Sequence, residues 1–245
     1  MLKVFIIMAI ALVFTIAQAE AKDKYASDII STNVGDLQLT FLGHGSLMMA
    51  FGGRVIQVDP VLQIADYSNL PKADMILVTH EHADHFDVKA IELISRPGKT
   101  AIVLTETCAA KMTGGVIMKN GDVKTIAGIR IEAAPAYNIV HKRQDGQPYH
   151  PKGVGNGYVL TFGDRRVYVA GDTENIPEMK GLKGIHCAFL PMNLPYTMTP
   201  EMVADAAVSF KPGIVYPYHF GETDTAKLAA LLKKTGIDVR IRNMK

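Results

Sequence analysis

The chain has 245 residues, 48% of them hydrophobic, and its 26 basic and 24 acidic side chains give a formal net charge of +2. This composition predicts a globular protein and excludes an intrinsically disordered one. A charge so near zero gives no electrostatic footprint for nucleic acid, so we expect a small-molecule substrate and no nucleic-acid partner.

The N-terminus has the layout of a secretory signal peptide. A short basic head precedes the apolar run 4–16, and Ala17-Gln18-Ala19 offers a small-x-small cleavage site. The run is too short for an ordinary membrane span, so we expect no stable membrane insertion after cleavage, with an uncleaved anchor as the alternative. We therefore predict a signal peptide at residues 1–19, a single domain at residues 20–245 with its core from about residue 35, and a periplasmic or secreted location.

From about Gly35 the chain alternates short β-type runs with turns and a few amphipathic segments. Strands are predicted at residues 37–42, 47–51, 54–58, 75–79, 101–105, 116–118, 123–126, 129–133, 158–162, 166–170, 188–190, 214–218 and 238–241. Helices are predicted at residues 87–95, 106–112, 201–210 and 225–234. Two comparable halves with no linker between them predict an α/β fold in which two sheets are sandwiched between helices.

The residues after the predicted strand 75–79 carry the strongest chemical signal. Four potential metal ligands lie within six positions: His80, His82, Asp84 and His85. Because residues two apart in extended chain point the same way, His80 and His82 could address one metal. Asp84 and His85 would then turn toward a second. A solvated loop or a helix capped by Asp84 is the alternative, but it explains this clustering poorly, and the ligand types favour zinc.

Two later strand ends carry further candidates. Asp172 follows the strand 166–170 beside a glycine and could bridge two cations, although alone it is more typical of a turn or a helix cap. His219 ends the strand 214–218, where a lone histidine is usually structural. Both candidates gain weight because they repeat the position of His80, just beyond a buried strand.

Two polar residues near the start of the predicted domain could support such a site. His44 lies in a Gly-His-Gly-Ser turn and could orient a ligand, contact substrate or simply form the turn. Asp59 follows the strand 54–58 and could accept a hydrogen bond from a ligating imidazole. The alternative for Asp59 is an ordinary Asp-Pro turn.

In this order, the motifs resemble those of the metallo-β-lactamase superfamily of metal-dependent hydrolases. Residues 80–85 match its His-x-His-x-Asp-His motif, Gly171-Asp172-Thr173 resembles its bridging-Asp motif, and His219 resembles its last histidine. The resemblance covers roughly residues 37–221. It implies a four-layer αββα sandwich of two mixed β-sheets flanked by helices.

Two early segments, Gly43-His44-Gly45-Ser46 and Val58-Asp59-Pro60, are similar to those of the lactonase-like and N-acylphosphatidylethanolamine phospholipase-like branch. One family motif is displaced. A histidine is expected near a strand end, where this chain has Ala134-Pro135-Ala136-Tyr137-Asn138. The available substitutes are His141 and His150, and His150 is favoured because it precedes a Gly-rich strand start.

The resemblance implies two divalent metal ions, with zinc favoured. The implied ligands are His80, His82 and His150 for the first ion and Asp84, His85 and His219 for the second, with Asp172 bridging. A hydroxide bridging the ions would attack the substrate, while Asp84 would orient it and relay its proton. Diiron relatives carry glutamate at the position of His82, which favours zinc, although manganese and iron stay open.

We therefore expect an exported zinc-dependent hydrolase that cleaves a small ester, lactone, amide or phosphodiester. The alternatives are a phospholipid or nucleic-acid phosphodiesterase of the same fold and a non-catalytic periplasmic metal-binding protein. Several basic residues could attract an anionic substrate, but as scattered charges they are more typical of a solubilising surface: Lys142, Arg143, Lys152, Arg165 and Arg166. Cys108 and Cys187 could pair or remain buried thiols, and the sequence does not set the oligomeric state.

Overall fold

The computed structural model describes residues 24–245, so the predicted signal peptide lies outside the described residues. The described strands form two seven-stranded sheets. The first contains β1 (Ser27–Thr32), β2 (Gly35–Gly43), β3 (Ser46–Phe51), β4 (Arg54–Val58), β5 (Met75–Leu77), β6 (Ala101–Leu104) and β7 (Val116–Ile117). The second contains β8 (Val123–Ile126), β9 (Ile129–Ala136), β10 (Gly155–Phe162), β11 (Arg165–Val169), β12 (Ile185–Pro191), β13 (Ile214–Tyr218) and β14 (Asp238–Val239).

Both sheets follow the same topology. Each strand pairs with its neighbours in chain order, from β1 to β7 in one sheet and from β8 to β14 in the other. In each sheet three antiparallel pairings are followed by three parallel ones. The sheets are therefore mixed, and the carboxyl ends of the parallel strands within each sheet meet at one edge.

The helices begin where the sequence offers a capping side chain. They are α1 (Val88–Ile94), α2 (Glu106–Ala109), α3 (Pro200–Phe210) and α4 (Thr225–Leu232), with a short 3₁₀ helix at Pro177–Gly181. The Asp87 carboxylate accepts the amides of Lys89 and Ala90 at the start of α1. Thr199 caps α3, whose first residue is a proline, a position that needs no amide donor.

Three apolar clusters divide the molecule into layers. One lies between the sheets and includes Leu39 and Phe189. A second joins the outer face of the first sheet to α1 and α2, and a third joins the outer face of the second sheet to α3 and α4. The order is thus helix, sheet, sheet, helix, which confirms the expected four-layer αββα sandwich.

The predicted strand 75–79 is shorter in the structure, and one strand was not predicted. β5 ends at Leu77 because the amide and hydroxyl of Thr79 bind the Asp59 carboxylate instead of a neighbouring strand. The unpredicted strand, β1, is largely polar and only partly buried, so its sequence lacks a strong period-2 signal. It is held to the C-terminal segment by Asp28, which forms ion pairs with Arg240 and Arg242.

The two cysteines do not pair. Cys108 lies in the cluster under α1 and α2, whereas Cys187 lies between the sheets, and both are free and buried. Burial raises the pKa of Cys108 to about 11 and that of Cys187 to about 12, so both are neutral thiols at ordinary pH. Among the helices of residues 24–245, none has the length and apolarity to cross a bilayer.

Candidate metal centre

The candidate ligands converge because they follow buried strands that end at one edge of the sandwich. His80 and its neighbours follow β5, Asp172 follows β11, and His219 follows β13. Six of the chain's eight histidines lie in this cluster: His44, His80, His82, His85, His150 and His219. The structure therefore brings together every residue that the sequence analysis assigned to a metal.

The first group of potential ligands consists of His80, His82 and His150, whose nitrogen atoms lie within 4.8 Å of one another. The His80 ring lies 4.6 Å from the His82 ring and 5.1 Å from the His150 ring, measured between centroids. His80 and His150 are buried, and His82 is half-buried. This is the set that the resemblance implied for one ion.

The second group contains Asp84, His85 and His219, again within 4.8 Å, and adds His44. Oδ2 of Asp84 lies 3.5 Å from Nε2 of His219 and 3.2 Å from Nε2 of His44. Both His85 and His219 are buried, while the Asp84 side chain is 48% exposed. His44 thus contacts Asp84 directly, which fits one of the three roles that the sequence left open, the orientation of a ligand.

Asp172 lies between the two groups. Its Oδ2 is 3.3 Å from Nε2 of His150 and 3.5 Å from Nε2 of His219, so this one oxygen reaches a member of each group. Its Oδ1 is 3.4 Å from Nε2 of His85. The side chain is almost wholly buried. A carboxylate in this position can bridge two cations.

The hydrogen bonds around the cluster test whether it suits a metal. Nδ1 of three buried histidines donates outward: His80 to the Thr79 hydroxyl at 3.0 Å, His85 to Asp59 at 2.8 Å, and His150 to Oδ1 of Asn138 at 2.7 Å. Their Nε2 atoms, together with Oδ1 of Asp172, are buried and have no hydrogen-bond partner among residues 24–245. Buried polar atoms left in this way are costly unless a ligand satisfies them. The donor set fits a divalent cation.

The charges in the cluster are strongly perturbed. Burial, reinforced by the neighbouring imidazoles, holds the pKa of His80 well below its usual value, and burial also lowers the pKa of His82. Burial works against charge on His85 as well, but the carboxylates of Asp172 and Asp59 raise its pKa to about 9. Although burial opposes ionisation, the nearby His219 and His85 hold the pKa of Asp172 well below its usual range. The carboxylate is thus anionic, which is the form in which a carboxylate binds a metal.

Asp59 supports the second group through a hydrogen bond with His85, on the side of the ring that faces away from Asp172. Its fully buried carboxylate accepts Nδ1 of His85, the amide of Thr79 at 2.8 Å and the Thr79 hydroxyl at 2.6 Å. It therefore links the loop after β4 to the loop after β5. Asp59 therefore accepts a hydrogen bond from an imidazole, as the sequence suggested, rather than only forming an Asp-Pro turn.

We predict that Asp59→Asn weakens zinc binding by about 10- to 100-fold, because asparagine cannot accept all three bonds and His85 loses its fixed tautomer. Titration against a chromophoric chelator measures the affinity. Asp87→Asn is the matched control, since asparagine caps a helix about as well as aspartate. An Asp59→Asn protein that folds normally and binds zinc as tightly as wild type would contradict this role.

Of the two histidines that the sequence offered for the displaced motif, His150 lies in the first group of potential ligands and His141 does not. Asn138 occupies the position of the displaced motif, and its Oδ1 accepts both the amide and Nδ1 of His150, at 2.9 and 2.7 Å. His141 turns away, with its Nδ1 2.6 Å from the buried Glu174 carboxylate. The motif position therefore holds a residue that orients the histidine instead of the histidine itself.

Glu174 shapes the loop that leads to His150, and sequence reasoning missed it. Its carboxylate accepts the amides of Ile139, Val140 and His141 at 2.6–2.7 Å, and Nδ2 of Asn138 at 3.1 Å. Burial alone would raise the pKa of Glu174, but these donors hold it below the usual value. The only sequence signal was an acidic residue two positions after Asp172, which has no distinctive pattern.

Three site residues have left-handed backbone conformations that non-glycine residues rarely adopt. The φ angles are 50° for His44, 44° for Asp59 and 46° for His219. The His219 amide donates to the carbonyl of His44 at 3.1 Å, which ties two of these positions together. Such strain persists only where surrounding contacts impose it, and it is concentrated at functional sites.

The cluster opens into a cavity of about 380 Å³. Its lining consists of His82, Asp84, Arg143, Tyr149, His150, Asp172, Asn193, Tyr196 and His219. A volume of this order fits a small molecule. Both ligand groups contribute to the wall, so a molecule in the cavity would contact them directly.

Comparison with known proteins agrees with this geometry. The sequence profile of the Beta-lactamase superfamily domain matches residues 38–219. The UPF0173 metal-dependent hydrolase of Methanopyrus kandleri is 29% identical over 226 residues, which cover 84% of this chain and 95% of the relative. That of Methanoculleus marisnigri is 32% identical over 190 residues, covering 75% and 81%.

Solved structures extend the comparison. A chain from Parabacteroides distasonis, described provisionally as a metal-dependent hydrolase, has 49% identity and a TM-score of 0.86, covering 90% of this chain and all of that one. Igni18, a metallo hydrolase from Ignicoccus hospitalis, has 25% identity and a TM-score of 0.70, with coverage of 85% and 95%. The diiron β-hydroxylase CmlA of Streptomyces venezuelae, at 17% identity and a TM-score of 0.65 over 83% of this chain and 52% of its own, shares the fold alone.

Proposed function

From its site we propose that this chain, which belongs to the β-lactamase superfamily of metal-dependent hydrolases, is a two-zinc enzyme that cleaves a small ester, lactone, amide or phosphodiester with water. From the sequence of residues 1–19 we propose that it is exported. The observation that carries the two-zinc proposal is the position of Asp172 between the two groups of potential ligands. One buried carboxylate lies between two groups of ligands, each with enough nitrogen and oxygen donors for a cation.

In this proposal His80, His82 and His150 would hold one zinc ion, while Asp84, His85 and His219 would hold the other. Asp172, which lies between the two groups, would contribute to both. Bound zinc lowers the pKa of a coordinated water to about 7 and polarises the oxygen of the bond to be cleaved. The imidazole ligands favour zinc over magnesium or calcium, which prefer oxygen donors.

The chain's own residues supply positioning and proton transfer. Asp84 is half-exposed and lines the cavity, so its carboxylate can accept a proton from the attacking water and pass it to the leaving group. His44, 3.2 Å from Asp84, holds that carboxylate in place. The hydrogen bonds from His85 to Asp59 and from His150 to Asn138 keep Nε2 of both imidazoles directed at Asp172.

Export is proposed from the sequence of residues 1–19, and the likeness to the lactonase-like and phospholipase-like branch also stays a prediction. Expression with a C-terminal tag, fractionation and mass measurement of the mature N-terminus would test export. A mature protein beginning at Glu20 in the periplasm or medium is expected. A cytoplasmic protein that keeps residues 1–19 would contradict it.

A hydrolase screen tests the chemistry. Zinc-loaded protein is assayed on esters, lactones, amides and phosphodiesters, beside chelator-treated protein reloaded with zinc, manganese or iron. We expect two zinc ions per chain by elemental analysis and turnover that is lost with chelator and restored best by zinc. No metal-dependent turnover on any class, with the two ions bound, would overturn the proposed activity and favour a metal-binding role.

A further inference from the structure

The cavity beside the metal centre contains one permanently charged cation among its nine lining residues, Arg143. The sequence alone favoured a solubilising role for this residue and for the other scattered basic residues. In the structure their roles separate. Lys152 pairs with Glu178, Arg165 with Asp164 and Arg166 with Glu132, and these basic residues do not line the cavity.

The backbone of Arg143 is fixed by a tight hairpin. Its amide donates to the carbonyl of Gln147 at 2.8 Å, and its carbonyl accepts the amide of Gly146 at 3.0 Å. Next to these bonds, Lys142 forms a β-bridge with Pro148. The base of the side chain is therefore held in place although the residue is exposed.

The guanidinium group is also positioned. Its central carbon lies 5.3 Å from the centroid of the Tyr149 ring, and Nη2 lies 3.4 Å from the Tyr149 carbonyl. The Tyr149 ring packs edge-on against Tyr196 at 5.0 Å, and the Tyr196 carbonyl accepts Nδ2 of Asn138. The stacked side chains of Arg143, Tyr149 and Tyr196 are thus connected to Asn138, which orients His150. A cation held over an aromatic face loses little entropy when it binds an anion.

Arg143 has no acidic partner within residues 24–245, so most of its donors are free. Six other arginines within residues 24–245 pair with a carboxylate: Arg96, Arg130, Arg165, Arg166, Arg240 and Arg242. Arg54, like Arg143, has no acidic partner there, but it does not line the cavity. An arginine that lines a cavity, is ordered by its neighbours and lacks a counter-ion has the form of an anion-binding group.

We propose that Arg143, with Tyr149 and Tyr196, forms a subsite for an anionic group on the substrate, a carboxylate or a phosphate remote from the bond that is cleaved. This inference rests on the proposed hydrolase function and narrows it to substrates that carry a negative charge. The planar guanidinium can donate two parallel hydrogen bonds to either anion, while the rings contact the apolar chain that joins the anion to the reacting group.

Calorimetric binding to zinc-loaded protein tests the subsite directly. The probes are glutaramate, 4-phosphonobutanamide and neutral pentanamide, which share a chain length and differ in the terminal group. We expect at least one of the two anions to bind wild type about 10- to 100-fold more tightly than it binds Arg143→Gln. The affinity for pentanamide should be the same in both proteins. The anion that responds identifies carboxylate or phosphate as the recognised group. Lys142→Gln is the matched control, since it removes the adjacent exposed charge on the same hairpin, and it should bind like wild type.

The subsite is wrong if neither anion binds wild type, or if both bind Arg143→Gln as tightly as they bind wild type. Kinetics with p-nitrophenyl pentanoate, mono-p-nitrophenyl glutarate and p-nitrophenyl 4-phosphonobutyrate separate this outcome from failure of the proposed chemistry. Zinc-dependent turnover with no preference for the anions contradicts the subsite alone. Arginine-dependent anion binding, with no zinc-dependent turnover in the hydrolase screen, contradicts the activity alone.

Discussion

Asp172→Ala is expected to reduce kcat/KM by on the order of 1,000-fold, because a bound metal supplies several kcal/mol of transition-state stabilisation and this residue reaches both ligand groups. Its Oδ2 lies within 3.5 Å of Nε2 of both His150 and His219. Without the carboxylate, the buried imidazoles lose the negative charge that lies between them. The measurements are turnover on a substrate from the screen and zinc content after gel filtration, where we expect fewer than two ions per chain.

Two controls separate loss of the ligand from loss of the fold. Asp172→Asn keeps the size of the side chain and removes its charge, so it should retain the fold while binding zinc poorly. Asp36→Ala removes an exposed aspartate whose partner is the Ser31 hydroxyl, and it should leave turnover unchanged. If Asp172→Ala retained two zinc ions and full activity, Asp172 would not be a bridging ligand.

Most of the fold could be predicted from the sequence because its strands are buried and short. The runs that became β3, β4, β6 and β13 are nearly continuous apolar segments bounded by turn residues, and the structure places strands there. β1 was not predicted because four of its six residues are polar. All four predicted helices are present, and Asp87, Thr105, Thr199 and Asp224 cap them in the structure.

The candidate site was predictable where ligands follow strands and unpredictable where long-range packing decides. His219 directly follows β13, while His80 and Asp172 come three residues after the ends of β5 and β11. The parallel pairing of β11, β12 and β13 places Asp172 and His219 at one edge of the second sheet, and the packing of the two sheets brings His80 to the same edge. That they bind metal stays a prediction. The hydrogen bonds from the amides of residues 139–141 to Glu174 join segments more than thirty positions apart, and no local sequence pattern encodes such contacts. The same holds for the placement of Arg143 over Tyr149, since it depends on the hairpin between them.

His150→Ala is expected to remove one zinc ion per chain and to lower kcat/KM by about 100- to 1,000-fold. Only His80 and His82 would then remain in the first group, and the open position would admit water in place of a strong nitrogen donor. Elemental analysis gives the zinc content, and a competing chelator gives the affinity of each ion. Asp84, His85 and His219 are untouched, so the second ion should stay bound.

His141→Ala is the decisive comparison, because the sequence offered His141 and His150 for the same position. His141 faces Glu174, whose carboxylate keeps four other donors in the variant, namely three amides and the Asn138 side chain. The loop should therefore hold its shape, and both zinc ions and turnover should persist. If His141→Ala lost an ion while His150→Ala kept both, the loop would have to rearrange around the metal. The contact between Asn138 and His150 would then have no part in orienting a ligand, and the first group would need a different third member.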